Sequence, residues 1–367
     1  MMEIPLVDLR LQHEEIAEEV KRGFDAVFEQ TAFVLGAAVD DFERAFAKYS
    51  DVRHCVGVGS GTDAIEMILR AEEIGPGDEV IVPANTFIAT ALAVTRVGAT
   101  PVFVDSDPDY HLIDVAATKE AINERTRGIL GVDLYGQIAP FEKLEDLARG
   151  RGIVVMEDAA QSHGARRNGC RAGGFGVAAA MSFYPGKNLG AYGDGGAVLS
   201  NDDAFAERVR QLRNWGGTVK YEHPVQGFNS RLDTLQAVVL RAKLDRLERW
   251  NEERREAAAR YGELLADVSA IASPKVAPQN ECVWHLYVVR VPERDRVLSV
   301  LHEAGIGAGI HYPTPCHLQG AYASLDYGPG SFPVAEKAAG EILSLPLFPG
   351  ITAAQQERVA EVLRGAI

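Results

Sequence analysis

Apolar positions along the chain change their spacing several times, and those changes mark its elements. Over 12–30, Ile16, Val20, Phe24, Val27 and Phe28 recur at helical intervals among charged neighbours, which predicts an amphipathic helix. Phe42, Ala45, Phe46 and Tyr49 predict a second. From His54 onward, short apolar runs alternate with helical patterns. The runs His54–Val58, Val80–Val82, Val102–Val104, Gly128–Leu134, Ile153–Met156, Ala178–Tyr184 and Ala197–Leu199 read as strands. Between them, Thr62–Glu73 and Thr86–Val97 read as helices stopped at Gly75 and Gly98. Asp114 caps a helix to Ile122, and Phe141–Ala148 is another. This alternation predicts β-α-β units and a mostly parallel sheet covered on both faces.

After about residue 200 the texture changes. Leu232–Leu265 carries one long helical pattern, with Leu235, Val239, Leu244, Leu247 and Trp250 on its apolar side. A smaller α+β portion follows: a strand at His285–Val291, a helix at Asp295–Ala304, a strand at Ile310–Tyr312, and helices at 333–343 and 352–364. The division expected is a large portion, residues 1–245, and a second, 246–367, made of the long connecting helix and a small α+β domain. The long helix itself could belong to either side.

Composition narrows the function classes. The 37 basic and 52 acidic residues give the 367-residue chain a formal charge of −15, so a nucleic-acid partner is not expected. Cys55, Cys170, Cys282 and Cys316 are scattered, which fits a reduced compartment. No apolar stretch reaches the roughly 18 residues of a membrane span, and the first residues do not resemble a signal peptide. A cytoplasmic protein without membrane partners is the expectation.

Four stretches could carry chemistry. Val58-Gly-Ser-Gly-Thr-Asp-Ala64 joins a strand to a helix through glycines and hydroxyls, where free N–H groups and the helix dipole can hold a phosphate. The same turn fits a loose dinucleotide pattern, with Glu79 as its acid, or simply a tight strand-to-helix connection. Pro83-Ala-Asn-Thr-Phe87 follows a strand, and Phe87 either stacks on a flat ring or packs on the sheet. In Glu157-Asp158-Ala-Ala-Gln161, an apolar strand ends in two acids, either a solvated strand end or a carboxylate at a ligand edge. Asp158, next to small residues and Gln161, suits close approach better. Lys187 lies in Ser182-Phe-Tyr184-Pro-Gly-Lys, followed by more glycines. It is a solvated turn lysine or an amine within a ligand's reach. A P-loop is a poor fit, because position 181 is Met and Asn188 replaces the metal-binding hydroxyl.

Jointly, a phosphate cradle, a ring-stacking aromatic, an acid and a lysine are what pyridoxal 5'-phosphate requires. The chain moreover resembles fold-type I aminotransferases, and among them the nucleotide-sugar aminotransferases of the DegT/StrS family. The resemblance runs from Pro5-Leu-Val-Asp-Leu9 to the last helix. Its motifs are Gly59-Ser-Gly-Thr-Asp63, Pro83-Ala-Asn-Thr-Phe87, Glu157-Asp-Ala-Ala-Gln161, Ser182-Phe-Tyr-Pro-Gly-Lys187 and Gly227-Phe-Asn-Ser-Arg-Leu-Asp233. It implies a seven-stranded, mostly parallel sheet in the large domain. Lys187 would form the internal aldimine, and Asp158 would meet the pyridine nitrogen. Ser60, Gly61, Thr62 and Ser182 would hold the phosphate, Phe87 would stack on the ring, and Gln161 would lie near its hydroxyl. Asn229 would reach the phosphate in the neighbouring subunit, which makes the protein an obligate homodimer with shared sites.

The resemblance also implies transamination from glutamate, through pyridoxamine phosphate, to a nucleotide-linked keto-sugar. Relatives that are dehydratases have histidine at the position of Lys187. The Gly309–Gln319 segment and the Ser-Phe-Tyr-Pro-Gly-Lys spelling look like members that aminate carbon 3 of a dTDP-3-keto-6-deoxyhexose. Alternatives are carbon 4 of a dTDP- or UDP-4-keto-sugar, a UDP-3-keto-hexuronic acid, or a non-catalytic regulator on the same fold. Tyr184, His311 and Tyr312 are candidates for the sugar; Lys220, Tyr221, His223 and Arg231 either face the diphosphate or are ordinary loop residues. His311 and His317 lack a third ligand at metal spacing, so no metal is expected.

Overall fold

The computed structural model describes residues 3–367. A central sheet is built from β1 (His54–Val58), β2 (Glu79–Pro83), β3 (Thr100–Val104), β4 (Thr126–Val132), β5 (Val154–Asp158), β6 (Ala179–Ser182) and β7 (Gly196–Ser200). Its spatial order is β1-β7-β6-β5-β4-β2-β3. Neighbours from β6 to β3 run parallel, while β7 is antiparallel to both β6 and β1. This is the mostly parallel seven-stranded sheet of the fold-type I class. Among the described residues, no helix is long and apolar enough to cross a membrane.

Both faces of the sheet are buried, which explains why its strands read as continuous apolar runs. Alternate residues enter different cores: Ile81, Ile129 and Met181 pack in one, and Val80, Val82, Leu130 and Ala180 in the other. A third core gathers Tyr261, Val289, Val297, Leu301, Leu343, Leu345, Val359 and Leu363 around the two-stranded sheet of β8 (Tyr287–Arg290) and β9 (Ile342–Leu345). Helix starts follow the expected capping chemistry: the Asp114 carboxylate accepts the N–H of Ala117, and the Asp202 carboxylate that of Phe205.

The structure corrects several expected elements. Leu232–Leu265 is two helices, Thr234–Leu244 and Leu247–Leu265, with the turn at Asp245 and Arg246. No glycine or proline marks that break. The apolar spacing continues across it, because both pieces bury side chains in the large core, Leu244 and Leu247 among them. Ile310–Tyr312 is not a strand. Only Gly309 bridges Ser344, and the carbonyl of His311 is taken by the hydroxyl of Tyr135. The helix expected over 333–343 ends at Glu341, and the apolar run Ile342–Leu345 pairs with β8 instead. The helix Asp203–Arg213, which has Phe205, Val209 and Leu212 on its buried side, was not anticipated.

Candidate active site

Strand ends at one edge of the sheet enclose a cavity of about 520 Å³, a size suited to a bound organic cofactor. Ser60, Gly61 and Thr62 line it from the end of β1, Phe87 from beyond β2, and Asp158 and Gln161 from the end of β5. Ser182, Tyr184 and Lys187 follow β6, and His311 and Tyr312 come from the C-terminal portion. These side chains are far apart in sequence, and the parallel topology brings them together.

The phosphate end is formed by the start of the helix Gly61–Ala71. Ser60 caps it, its Oγ accepting the N–H of Asp63 at 3.1 Å. The first intrahelical bond runs from Ala64 N–H to the Ser60 carbonyl at 3.0 Å. The N–H groups of Gly61 and Thr62 precede it and have no partner within the helix. A side chain at Gly61 would place its Cβ 2.6 Å from Ser182 Cβ, so only glycine lets the two segments meet. N–H groups, a helix dipole and a serine hydroxyl thus converge on one point, which fits a phosphate group.

At the other end, Asp158 Oδ2 accepts a 2.8 Å hydrogen bond from Thr90 Oγ1, and Oδ1 accepts the N–H of Ala160 at 3.2 Å. Burial pushes the Asp158 carboxyl up, whereas these two donors and the charge of Lys187 pull it down. Glu157 points elsewhere: its oxygens accept the N–H of Gly173 at 2.9 and 3.0 Å and that of Phe175 at 3.1 Å. Gln161 is fixed from both sides, Oε1 accepting the Tyr135 N–H at 2.7 Å and Nε2 donating to the Tyr312 hydroxyl at 3.1 Å.

Lys187 sits on the turn after β6, its N–H bonded to the Tyr184 carbonyl at 2.8 Å. Burial lowers its ammonium to about 8, opposed by the attraction of Asp158. Near neutral pH the Nζ therefore has an accessible neutral form, as a carbonyl-binding amine needs. His311 is lowered to about 4, chiefly by burial and then by Lys187, and its Nδ1 lies 2.8 Å from Ser344 Oγ. The Phe87 and Tyr312 rings are 5.4 Å apart at the mouth, where Phe87 is 52% exposed. A phosphate cradle, an aromatic side chain at the mouth, a buried acid and a desolvated lysine fit pyridoxal phosphate.

Some sequence candidates lie outside this cavity within one chain. Lys220 and Tyr221 line a separate concavity with Asn214 and Trp215, and Arg231 donates to Asn214 Oδ1 at 3.2 Å. Asn229 is exposed, yet its neighbour Ser230 accepts the Gly59 N–H at 2.9 Å and donates to Asp63 Oδ2 at 2.7 Å. His317 pairs with Glu336 at 3.1 Å, and it is not part of the cavity wall. Glu79, the acid of the dinucleotide alternative, starts β2 at the opposite end of the strand and pairs with Arg125 at 2.6 Å. Sequence reasoning missed Thr90, Tyr135 and His285. The Thr86–Thr90 spacing, one helical turn after a strand end, was the available signal for Thr90.

Comparison with known proteins agrees with this geometry. A profile of the DegT/DnrJ/EryC1/StrS aminotransferase family matches residues 14–364. A dTDP-3-amino-3,4,6-trideoxy-alpha-D-glucose transaminase of Streptomyces venezuelae is 46% identical over 98% of this chain and 95% of its own. A pleiotropic regulatory protein of Geobacillus stearothermophilus is also 46% identical, over 98% of this chain and 97% of its own. The solved structure of S. venezuelae DesV, in complex with a ketimine intermediate, superposes with a TM-score of 0.97 at 45% identity, covering 100% of this chain and 98% of that one. The chain belongs to the DegT/DnrJ/EryC1/StrS aminotransferase family. Its cofactor is pyridoxal phosphate, which interconverts with pyridoxamine phosphate; structures similar to this one include PMP- and PLP-forms.

Proposed function

We propose that the protein transfers the amino group of glutamate to carbon 3 of a dTDP-linked 3-keto-6-deoxyhexose, acting as a cytoplasmic homodimer with shared sites. The observation that carries this reading is Lys187, lowered to about 8 by burial, in the same cavity as the hydrogen-bonded carboxylate of Asp158. The names of similar transaminases support a 3-amino sugar as the product class. A regulatory name occurs at equal similarity, and the intact Lys187–Asp158 cavity favours the catalytic reading over it.

Bound in the cavity, pyridoxal phosphate supplies an electron sink and carries the amino group from donor to acceptor. The chain supplies the rest. Lys187 Nζ removes the proton from the amino-bearing carbon of glutamate and returns one to the sugar carbon. Asp158, which accepts hydrogen bonds from Thr90 and Ala160, would face the ring nitrogen and favour a proton there. Ser60, Gly61, Thr62 and Ser182 would hold the phosphate, Phe87 would stack on the ring, and Gln161 would lie near its hydroxyl. Tyr184, His311 and Tyr312 face the sugar.

Asn229, Lys220, Tyr221 and Arg231 would complete the partner subunit's site. Exposed apolar side chains support a dimer: Phe28, Phe33 and Val34 are 52%, 45% and 52% exposed, and Trp215 50%. By the same division of labour, residues 1–245 build the cofactor site and 246–367 close it over the sugar. Mass spectrometry of reactions containing glutamate and separate 3-keto and 4-keto dTDP-sugars tests the proposal. An amino sugar is expected from the 3-keto substrate; a product from the 4-keto sugar alone contradicts it.

A further inference from the structure

His285 lines the cavity together with Lys187 but plays no part in the roles above. It lies just ahead of β8, half-buried, with its Nδ1 3.1 Å from Asn188 Oδ1. Two backbone carbonyls determine which atoms in this contact donate. Asn251 Nδ2 donates to the His163 carbonyl at 2.8 Å, and a carbonyl can only accept. The Oδ1 of Asn251 is therefore the atom that faces Asn188, and it accepts from Asn188 Nδ2 at 3.0 Å. The same Nδ2 donates to the Val283 carbonyl at 2.9 Å, which leaves Asn188 Oδ1 pointing at the imidazole. That oxygen needs a donor, so the ring proton sits on Nδ1.

The hydrogen bond of this imidazole to the protein runs through Nδ1, and Nε2 makes none among the described residues. Burial holds the imidazole well below its usual range, and the charges of Lys187 and Arg254 act in the same direction, so the ring stays neutral. A neutral imidazole with its proton fixed on Nδ1 offers only a lone pair at Nε2.

We infer that His285 is a specificity residue that accepts a hydrogen bond, through Nε2, from a hydroxyl of the keto-sugar. Glutamate brings one donor, the amino group that reacts, and two carboxylates that have no proton to give, so nothing else on it can satisfy Nε2. The residue therefore serves the sugar half of the cycle and not the glutamate half. This rests on the sugar reading proposed above.

Two variants separate the ends of the ring. His285→Asn keeps a donor near the Nδ1 position for Asn188 and removes the acceptor. His285→Gln keeps an oxygen near the Nε2 position. Stopped-flow spectra of holoenzyme give the rates of the glutamate and keto-sugar half-reactions separately. In H285N the sugar half-reaction is expected to slow roughly tenfold, the value of one lost hydrogen bond. Its glutamate half-reaction stays at the wild-type rate, and H285Q retains most of the sugar rate. In cofactor-free protein labelled with 15N-histidine, NMR should find Nδ1 protonated and Nε2 bare at neutral pH.

Equal sugar rates for H285N and wild type, or a proton on Nε2, overturn the role of His285 alone. A wild-type enzyme that reacts with glutamate but with no keto-sugar overturns the functional proposal, and this inference with it.

Discussion

Thr90 Oγ1 lies 2.8 Å from Asp158 Oδ2 and donates its proton to that carboxylate. Asp158 is buried beneath the cavity, where desolvation favours its neutral form. The threonine hydroxyl favours the charged form, and so does Lys187. A charged Asp158 is what a protonated pyridine nitrogen needs opposite it. Thr90→Val keeps the shape and removes the donor. It is expected to raise the Asp158 pKa and to cut the rate of amino transfer roughly tenfold. Steady-state kinetics with glutamate, beside a thermal melt showing an intact fold, checks this.

Lys187→Ala should retain the fold and bind pyridoxal phosphate without a covalent link. The loss of the amine proposed to move the proton is expected to lower turnover by about 10²- to 10⁴-fold. Borohydride reduction followed by peptide mass spectrometry checks the first point. A phosphopyridoxyl label on Lys187 is expected in the wild type and no label in the variant.

The Lys187 amine sets a pH dependence whose sign is fixed. Burial lowers it from the model-compound value of 10.5 to about 8. The neutral amine attacks an aldehyde, so capture of pyridoxal phosphate by the cofactor-free protein should accelerate as pH rises, with a midpoint near 8. Asp158 stabilises the ammonium, so Asp158→Asn removes that attraction and should move the midpoint lower. Rates followed by absorbance across the pH range test both statements.

Gly61→Ala would bring a Cβ to 2.6 Å from Ser182 Cβ. Overpacking of this kind costs about 1–3 kcal/mol. Because it separates the two walls of the phosphate cradle, cofactor affinity should fall roughly tenfold or more. Fluorescence titration of the cofactor-free protein reads the change.

The shared sites proposed above make a quantitative demand. Chains carrying Lys187→Ala and chains carrying both Asn229→Ala and Arg231→Ala should each be poorly active alone. In a mixed dimer, one of the two sites receives no lesion, so statistical mixing should restore about a quarter of wild-type activity. No recovery would place Asn229 and Arg231 outside the partner's site.

Much of this protein can be read from its sequence. The β-α-β alternation places the ends of the parallel strands at one edge, so Asp158, Lys187 and the Gly59–Thr62 turn could be assigned to one site from the sequence alone. Their signal is local: a strand, then a chemical residue, then small residues. The break at Asp245 could not be read, because both helices bury the same apolar face and no breaker residue divides them. His285 and Tyr135 were not legible either. Their roles depend on hydrogen bonds to Asn188 and Gln161, which are distant in sequence and carry no pattern. Ile310–Tyr312 has strand-like composition, but the carbonyl of His311 is taken by the Tyr135 hydroxyl and the segment pairs with no strand.

Amino transfer to a nucleotide-linked keto-sugar through Lys187 is tested most directly by the two half-reactions on one spectrophotometer. Glutamate added to the yellow holoenzyme should shift its absorbance to that of the pyridoxamine form. Subsequent addition of a dTDP-3-keto-6-deoxyhexose should restore the original spectrum, with one amino sugar formed per site. A spectrum unchanged by glutamate, or restored equally in the Lys187→Ala protein, would contradict it.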